Sequence, residues 1–247
     1  MSISWFCLWT ATSGAPPVFD ALDRAALTAE LATCPGLRRG FAMVPSAGDD
    51  PFFPDTRNPN ALLLQLEFDE VLDLERGLTP SGSLAFLAEA DRWPSLEGTT
   101  ISHQAMLTRC YPVAEPAIGS ADGSTLSYMV EYDGITADEN AWHLAYNARH
   151  PFLLAKFPGI RAIEIYTPAT IVCGLPIRAR TAMQRNKTVF DSPQAMEAAM
   201  ASKARPALRA DFLTLPPFEG GNDHLPFHAV EVKGPKALMD AGDSIAR

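Results

Sequence analysis

Two of the chain's five histidines stand in one short run, WHLAYNARHPF (142–152), with a tyrosine and an asparagine between them. Wound as a helix at about 100° per residue, His143, Tyr146, Asn147 and His150 fall within a sector of roughly 100°. An imidazole that titrates near neutrality beside a phenol can hand a proton to and from a bound molecule. His150 is therefore read as the acid/base, with Tyr146 or His143 as its partner and Trp142 and Asn147 as substrate contacts. The competing reading is a partly solvated helix flank with a core-edge histidine. A metal between His143 and His150 would need a nearby carboxylate, and none is evident, so no metal is expected.

The other candidates lie on strand-like segments. His103 sits in TTISHQAML and His228 in HLPFHAVEV, with His224 at the entrance of the second. His103 and His228 are taken as a matched pair with catalytic potential, and His224 as a substrate contact. All three could equally be hydrogen-bonded histidines of a half-buried sheet. Arg38 and Arg161 each follow a Pro-Gly turn. Either could clamp a substrate carboxylate with its planar fork, or brace the turn by an ion pair. Arg178 and Arg180 share strand parity, with Arg185 close by, and Arg180 joins Arg161 as a substrate-binding candidate. There is no GxSxG elbow, Walker loop, GxGxxG after a strand or HExxH.

Residues so dispersed need a frame to bring them together. In the second half the patterns predict strands at 125–133, 160–167, 178–190 and 225–233. Helices are predicted at 137–156 and 192–213, the latter interrupted near Pro206. Ala141, Leu144, Ala148, Phe152 and Ala155 form the apolar stripe expected to face the sheet. In the first half, strands are predicted at 2–10, 37–44, 61–68 and 99–111. Helices are predicted at 18–33, with Val18, Leu22, Ala25, Ala26, Ala29 and Ala32 on its apolar side, and at 84–90. Residues 70–80 stay unassigned. The polar, proline-rich stretch 45–60 reads as a lid or interface arm.

The order is βαββαβ twice, and the residues repeat as well. LATCPGLRRGFAMVP (31–45) aligns without a gap to LAKFPGIRAIEIYTP (154–168), with six identities in fifteen positions. Phe68-Asp69 returns as Phe190-Asp191, Ala90-Asp91 as Ala210-Asp211 and Glu97-Gly98 as Glu219-Gly220, all 120 to 123 residues on. Subtracting 123 puts Leu27, Asp23 and Asp20 where His150, Tyr146 and His143 stand, so the helix chemistry belongs to the second half alone. A split β-α-β unit leaves one sheet face bare, and two units can cover each other. The expected fold is α+β: two tandem ferredoxin-like (βαββαβ) units packed sheet to sheet as an intramolecular dimeric α/β barrel. The units are placed at 1–112 and 125–233, with a linker at 113–124 and a tail at 234–247.

Composition narrows the partners. The chain is 47% apolar and 20% charged, with a net charge of −9 and mean hydropathy of −0.01. The absence of a basic block argues against nucleic acid and anionic membranes. No apolar run approaches the roughly 18 residues of a spanning helix, and the N-terminus has no basic leader, so a cytoplasmic location is expected. Cys7, Cys34, Cys110 and Cys173 show no ligand spacing, and Cys7 and Cys110 read as buried thiols. A small-molecule substrate is the expected partner, and pairing with a second copy as a homodimer is left open.

Trp142…His150-Pro151…Phe157-Pro158-Gly159, then VFDSPQAMEAAM and ADFLTLPPFEGGNDHLPFHAVEV, resemble the EthD domain of the dimeric α/β barrel superfamily over about residues 125–233. The resemblance implies a cleft between helices and sheet for an aromatic or conjugated acid, and chemistry without a cofactor. The reading it favours is a cofactor-independent isomerase or lyase acting by proton transfer on a small aromatic-derived or conjugated carboxylic acid. The alternatives are a cofactor-free monooxygenase of a phenolic substrate and a non-catalytic small-molecule-binding accessory protein.

Overall fold

The computed structural model describes residues 2–48, 50–53, 58–89, 91–116 and 124–235. The expected linker and tail therefore fall mostly outside the described residues. The first half runs β1 (Ser2–Ala11), α1 (Ala21–Ala32), β2 (Leu37–Pro45), β3 (Asn60–Phe68), α2 (Val71–Gly77), two 3-10 turns (Ala85–Ala88 and Pro94–Leu96) and β4 (Thr99–Tyr111). The second half runs β5 (Ser124–Thr136), α3 (Glu139–Leu154), β6 (Ala162–Pro168), β7 (Arg178–Ala179), β8 (Gln184–Phe190), α4 (Pro193–Met200), α5 (Ala204–Phe212) and β9 (Phe218–Lys233).

The strands join in the order β1-β3-β2-β9-β5-β8-β6-β4, and β4 pairs back onto β1. The result is a closed eight-stranded antiparallel barrel, with the short β7 added in parallel to β4. Closure removes the free edges that an open sheet would present. Counted along each half, the strand order is the same: β4-β1-β3-β2 and β9-β5-β8-β6. The halves meet edge to edge, through β2–β9 and β4–β6. The expected barrel is thus closed by strand pairing at both junctions, where the sequence predicts only sheet-to-sheet packing.

Strand alternation sends one set of side chains outward, under the helices, and the other into the barrel. In β1, Ile3, Trp5, Cys7 and Trp9 belong to the first-half helical layer, while Phe6 and Leu8 join the barrel interior. The interior is only partly apolar. Phe6, Leu63, Met106, Met129 and Phe227 fill its middle. Lys187 ion-pairs Glu164 at 2.8 Å, and Arg39 spans Glu164 and Glu67 at 3.1 and 3.0 Å. Arg185 bonds Glu131, its side chain only 1% exposed. Burial opposes ionisation of Glu164, yet Lys187 and Arg39 together hold its carboxyl well below the usual carboxylate range.

Several expectations need correcting. The strand predicted at 178–190 is broken, because the chain changes partners there. Arg180 N–H donates to the His103 carbonyl on β4, and Met183 N–H donates to the Tyr132 carbonyl on β5. The last strand begins seven residues earlier than predicted, at Phe218. Its glycines permit this: a Cβ at Gly220 would sit 2.3 Å from the Asp133 carbonyl of the neighbouring strand. The break in the 192–213 helical region falls at 201–203 rather than at Pro206, and Pro206 lies in the first turn of α5, where its missing N–H is tolerated. The unassigned segment 70–80 contains α2, and the helix expected at 84–90 is a 3-10 turn. Cys110 is exposed rather than buried.

Both long helices are also rotated from their predicted phase. Val18 and Leu22 are 84% and 82% exposed, and α1 buries Leu27 and Leu31 instead. In α3, Leu144 and Phe152 are 74% and 53% exposed, and the buried stripe is Trp142, Tyr146, His150 and Leu154. The buried positions of the two helices correspond at the 123-residue interval: Leu27 with His150 and Leu31 with Leu154. Tyr146 and His150, expected on a polar flank, thus face the barrel.

Candidate functional site

Helix α3 starts at Asp138, whose carboxylate accepts the Ala141 N–H at 2.9 Å. From that cap, four-residue spacing lays Trp142, Tyr146 and His150 in a row against β5 and β8. The row is aromatic and tightly stacked. Trp142 lies parallel to Tyr146 with ring centroids 5.1 Å apart, and Tyr146 lies 4.5 Å from His150. The Tyr146 hydroxyl takes a hydrogen bond from the Asn186 amide of β8 and another links it to Tyr132 of β5. Burial, reinforced by Tyr132, raises the Tyr146 phenol well above its ordinary pKa, so it stays protonated.

His150 is buried, and its Nδ1 lies 3.0 Å from Asp211 Oδ2 of α5. Arg149 holds the other oxygen of the same carboxylate at 3.0 Å. A carboxylate can only accept here, which fixes the proton on Nδ1 and leaves the Nε2 lone pair free. Burial pushes the His150 pKa below its ordinary value, and Asp211 only partly restores it. The imidazole is thus neutral at pH 7, oriented, and able to accept a proton.

A second cluster faces the first. The Tyr128 hydroxyl donates to Asp50 at 2.6 Å and accepts from His224 Nδ1 at 2.8 Å. Arg205 of α5 grips Asp50 through Nε and a terminal nitrogen at 3.0 and 2.7 Å. Burial opposes the charge on Asp50, but the bonds from Arg205 and Tyr128 bring its pKa down. His224 is pushed down to about 3 by burial, which the nearby Asp50 charge does not offset. Phe53 stacks on the His224 ring at 3.6 Å, and the Arg205 guanidinium lies over Phe52 at 4.7 Å. Asp50, Phe52 and Phe53 come from the 45–60 stretch of the first half. These three residues lie over a cleft otherwise built by the second half.

The two clusters line one cleft between barrel and helices, with Asp50, Tyr128, Tyr132, His150, Asn186 and His224 among its walls. Its volume is about 40 Å³. A neighbouring lobe beneath Phe53 adds about 30 Å³. That is room for a few waters but not for an aromatic ring.

Of the residues singled out from sequence, His150, Tyr146 and His224 come together here. Trp142 stands behind Tyr146, fully buried, and does not line the cleft. Asn147 turns away to accept from the Tyr111 hydroxyl at 2.7 Å, and half-buried His143 lies on that same flank. His228 is exposed on β9, outside the site. His103 sits in the first-half layer, where its Nδ1 accepts the Trp5 indole N–H at 3.0 Å. Its counterpart is His224 rather than His228: His103 pairs across from Cys7 and His224 from Val130, and each bonds the aromatic side chain two residues before its partner.

Arg161 bonds Asp191 and Glu115, both at 2.6 Å, and Arg38 lies 3.6 Å from Asp69. The repeated arginines therefore brace equivalent turns. Arg180 pairs with Glu131 at the barrel mouth. Sequence reasoning misses Asp50, Tyr128, Tyr132, Asn186, Arg205 and Asp211. Asp211 is visible in sequence as part of the repeated Ala-Asp pair, and Asp50 as part of the long loop. Among the described residues no three His, Cys, Asp or Glu side chains converge as a metal site, and no helix is long and apolar enough to cross a membrane.

No family model matches the chain, and no curated protein matches it in sequence. Solved structures do match. An anthrone oxidase-like protein superposes with a TM-score of 0.59 at 16% identity, covering 96% of this chain and 95% of that one. A protein of Fusobacterium nucleatum that carries the name monooxygenase gives 0.53 at 7% identity over 95% and 94%. Chlorite dismutase from Candidatus Nitrospira defluvii gives 0.50 at 9% over 92% and 90%. Three different names share one architecture, so likeness at this distance speaks to fold. The closed barrel and its flanking helices, like these neighbours, fit a dimeric α/β barrel fold.

Proposed function

We propose that the chain is an enzyme that removes a proton from an acidic position of an aromatic-derived substrate, with His150 as the base and the Phe52 and Phe53 side chains, which now fill the approach to the cleft, moving aside to admit the ring. The observation that carries this reading is a buried, neutral imidazole held by Asp211 in a cleft walled by Tyr128, Tyr132 and Phe157. The site offers a proton acceptor, phenols that stay protonated and aromatic faces. Such a set is suited to generating and stabilising an electron-rich anion.

The fate of that anion decides the reaction class. The names borne by two of these neighbours, an anthrone oxidase-like protein and one called a monooxygenase, favour reaction with oxygen over the isomerase or lyase chemistry expected from sequence. In an anthrone-type substrate, His150 takes a methylene proton and the carbanion adds to O2. The peroxide then recovers the proton from His150 and loses water. The methylene has become a carbonyl, and one O2 has given one water. No cofactor has a part in this scheme.

The architecture is read in the same way: two ferredoxin-like units, 1–112 and 125–233, descended from one, with the second EthD-like. Equal strand order, matched buried helix positions, the paired strand histidines and the two braced turns all support it.

The test is an oxygen-electrode assay with anthrones and electron-rich phenols. Stoichiometric O2 uptake that His150→Ala removes is expected. Turnover of a conjugated acid without O2 uptake would return the reaction to the isomerase or lyase class. Turnover unaffected by His150→Ala would end the assignment of the base.

A further inference from the structure

A second and much larger hollow, about 750 Å³ in volume, lies between first-half residues of β1, β4 and the 3-10 segments and second-half residues around β7. Trp9 at the end of β1, Leu87 and Trp93 from the 3-10 segments, and Ile101 at the start of β4 form its apolar side. Arg178 and Arg180, on and beside β7, form its polar side. This volume lies within the roughly 300–1,000 Å³ range of small-molecule pockets, whereas the His150 cleft lies far below it.

The charges around the hollow are not equivalent. Arg180 is tied to Glu131, and Glu89 on the opposite wall is tied to Arg92 at 3.2 Å. Asp133 at the rim is solvated. No ion pair engages Arg178 among the described residues, and β7 holds it in register with Ser102 of β4. An uncommitted guanidinium sharing a groove with two indoles, each packed into the core and 5% exposed, suits a flat ring that carries an acid group. We propose that this groove is a second binding site, distinct from the His150 cleft, for a small aromatic carboxylate. The ring lies against Trp9 and Trp93, and the carboxylate takes the Arg178 fork.

The probe is 2-naphthoate, titrated into the full chain by calorimetry and by quenching of tryptophan fluorescence. Saturable one-to-one binding is expected. It should weaken about tenfold or more in Arg178→Gln, as loss of a charge-assisted hydrogen bond implies. It should be blocked by Thr181→Trp, which fills the groove from its exposed rim, and unchanged in His150→Ala. Neutral 2-naphthylmethanol should bind about tenfold more weakly or worse than the acid. Absence of saturable naphthoate binding overturns the proposal. So does equal affinity for the alcohol, or binding lost in His150→Ala and retained in Arg178→Gln.

Discussion

A histidine in a buried cleft differs from one in water chiefly in how the environment sets its charge, and the proposed base His150 illustrates this at the scale of one residue. Burial holds its pKa down while Asp211 pulls it up. The acid limb of kcat/KM is therefore expected below pH 6.5, the ordinary value for histidine. Asp211→Asn removes the group that raises it, so the limb should move to still lower pH, with kcat reduced about tenfold or more as ring orientation loosens. A limb that moves upward would contradict the dyad.

His224 carries the matching prediction for stability. Its folded pKa is about 3 against about 6.5 in the unfolded chain, so below pH 6.5 the unfolded state binds the extra proton. Stability should fall as pH drops from 6.5, with a slope of up to about 1.4 kcal/mol per pH unit from this residue. His224→Phe should flatten the fall of Tm between pH 6.5 and 4.5. An unchanged slope would place the pH dependence elsewhere.

At the scale of elements, the phase of α3 is open to direct measurement. Trp142→Ala should cost about 3–5 kcal/mol, whereas Leu144→Ala on the exposed face should stay within about 0.5 kcal/mol. Urea titration of the two variants distinguishes the observed phase from its opposite. The strands were legible because β-branched and aromatic residues alternate at period two, with turn residues between them. The helix phase was not. Alanine and leucine counted as apolar, while large amphipathic rings counted as polar. Trp142, Tyr146 and His150 bury more surface than three alanines, and Tyr146 finds hydrogen-bond partners inside.

The site was half legible for a related reason. His150, Tyr146 and His224 declare themselves by residue type. Asp211 and Arg205 acquire meaning only through partners 61 and 155 positions away, where no local pattern reaches. The Asp50–Arg205 pair also makes its own prediction. Asp50→Ala strands a buried guanidinium and should destabilise the fold by about 3–5 kcal/mol, read as a shifted urea midpoint.

For the whole molecule, closure is the governing feature. Either half alone would expose two long strands, β2 and β4 in the first and β9 and β6 in the second, that normally pair across the junction. Expressed singly, each half is expected to self-associate or precipitate. Expressed together, the halves should recover a soluble one-to-one complex. A monomeric, folded single half would argue against the closed barrel as the unit of stability. The proposed repeat draws on Pro-Gly turns and Phe-Asp strand ends, features tied to backbone geometry and to the ion pairs of Arg38 with Asp69 and Arg161 with Asp191. Closure through the edges was not visible, since pairing between distant strands leaves no periodic trace.

The placement of Phe52 and Phe53 over the cleft has a consequence for how such a protein could diversify. The floor and the reactive groups of the cleft belong to one half, and the roof belongs to the other. Changes that widen or reshape what is admitted can therefore accumulate at Phe52 and Phe53, provided that Asp50 keeps its bonds to Tyr128 and Arg205. Exchanging Phe52 and Phe53 while keeping Asp50 should alter selectivity and leave the proposed chemistry at His150 in place.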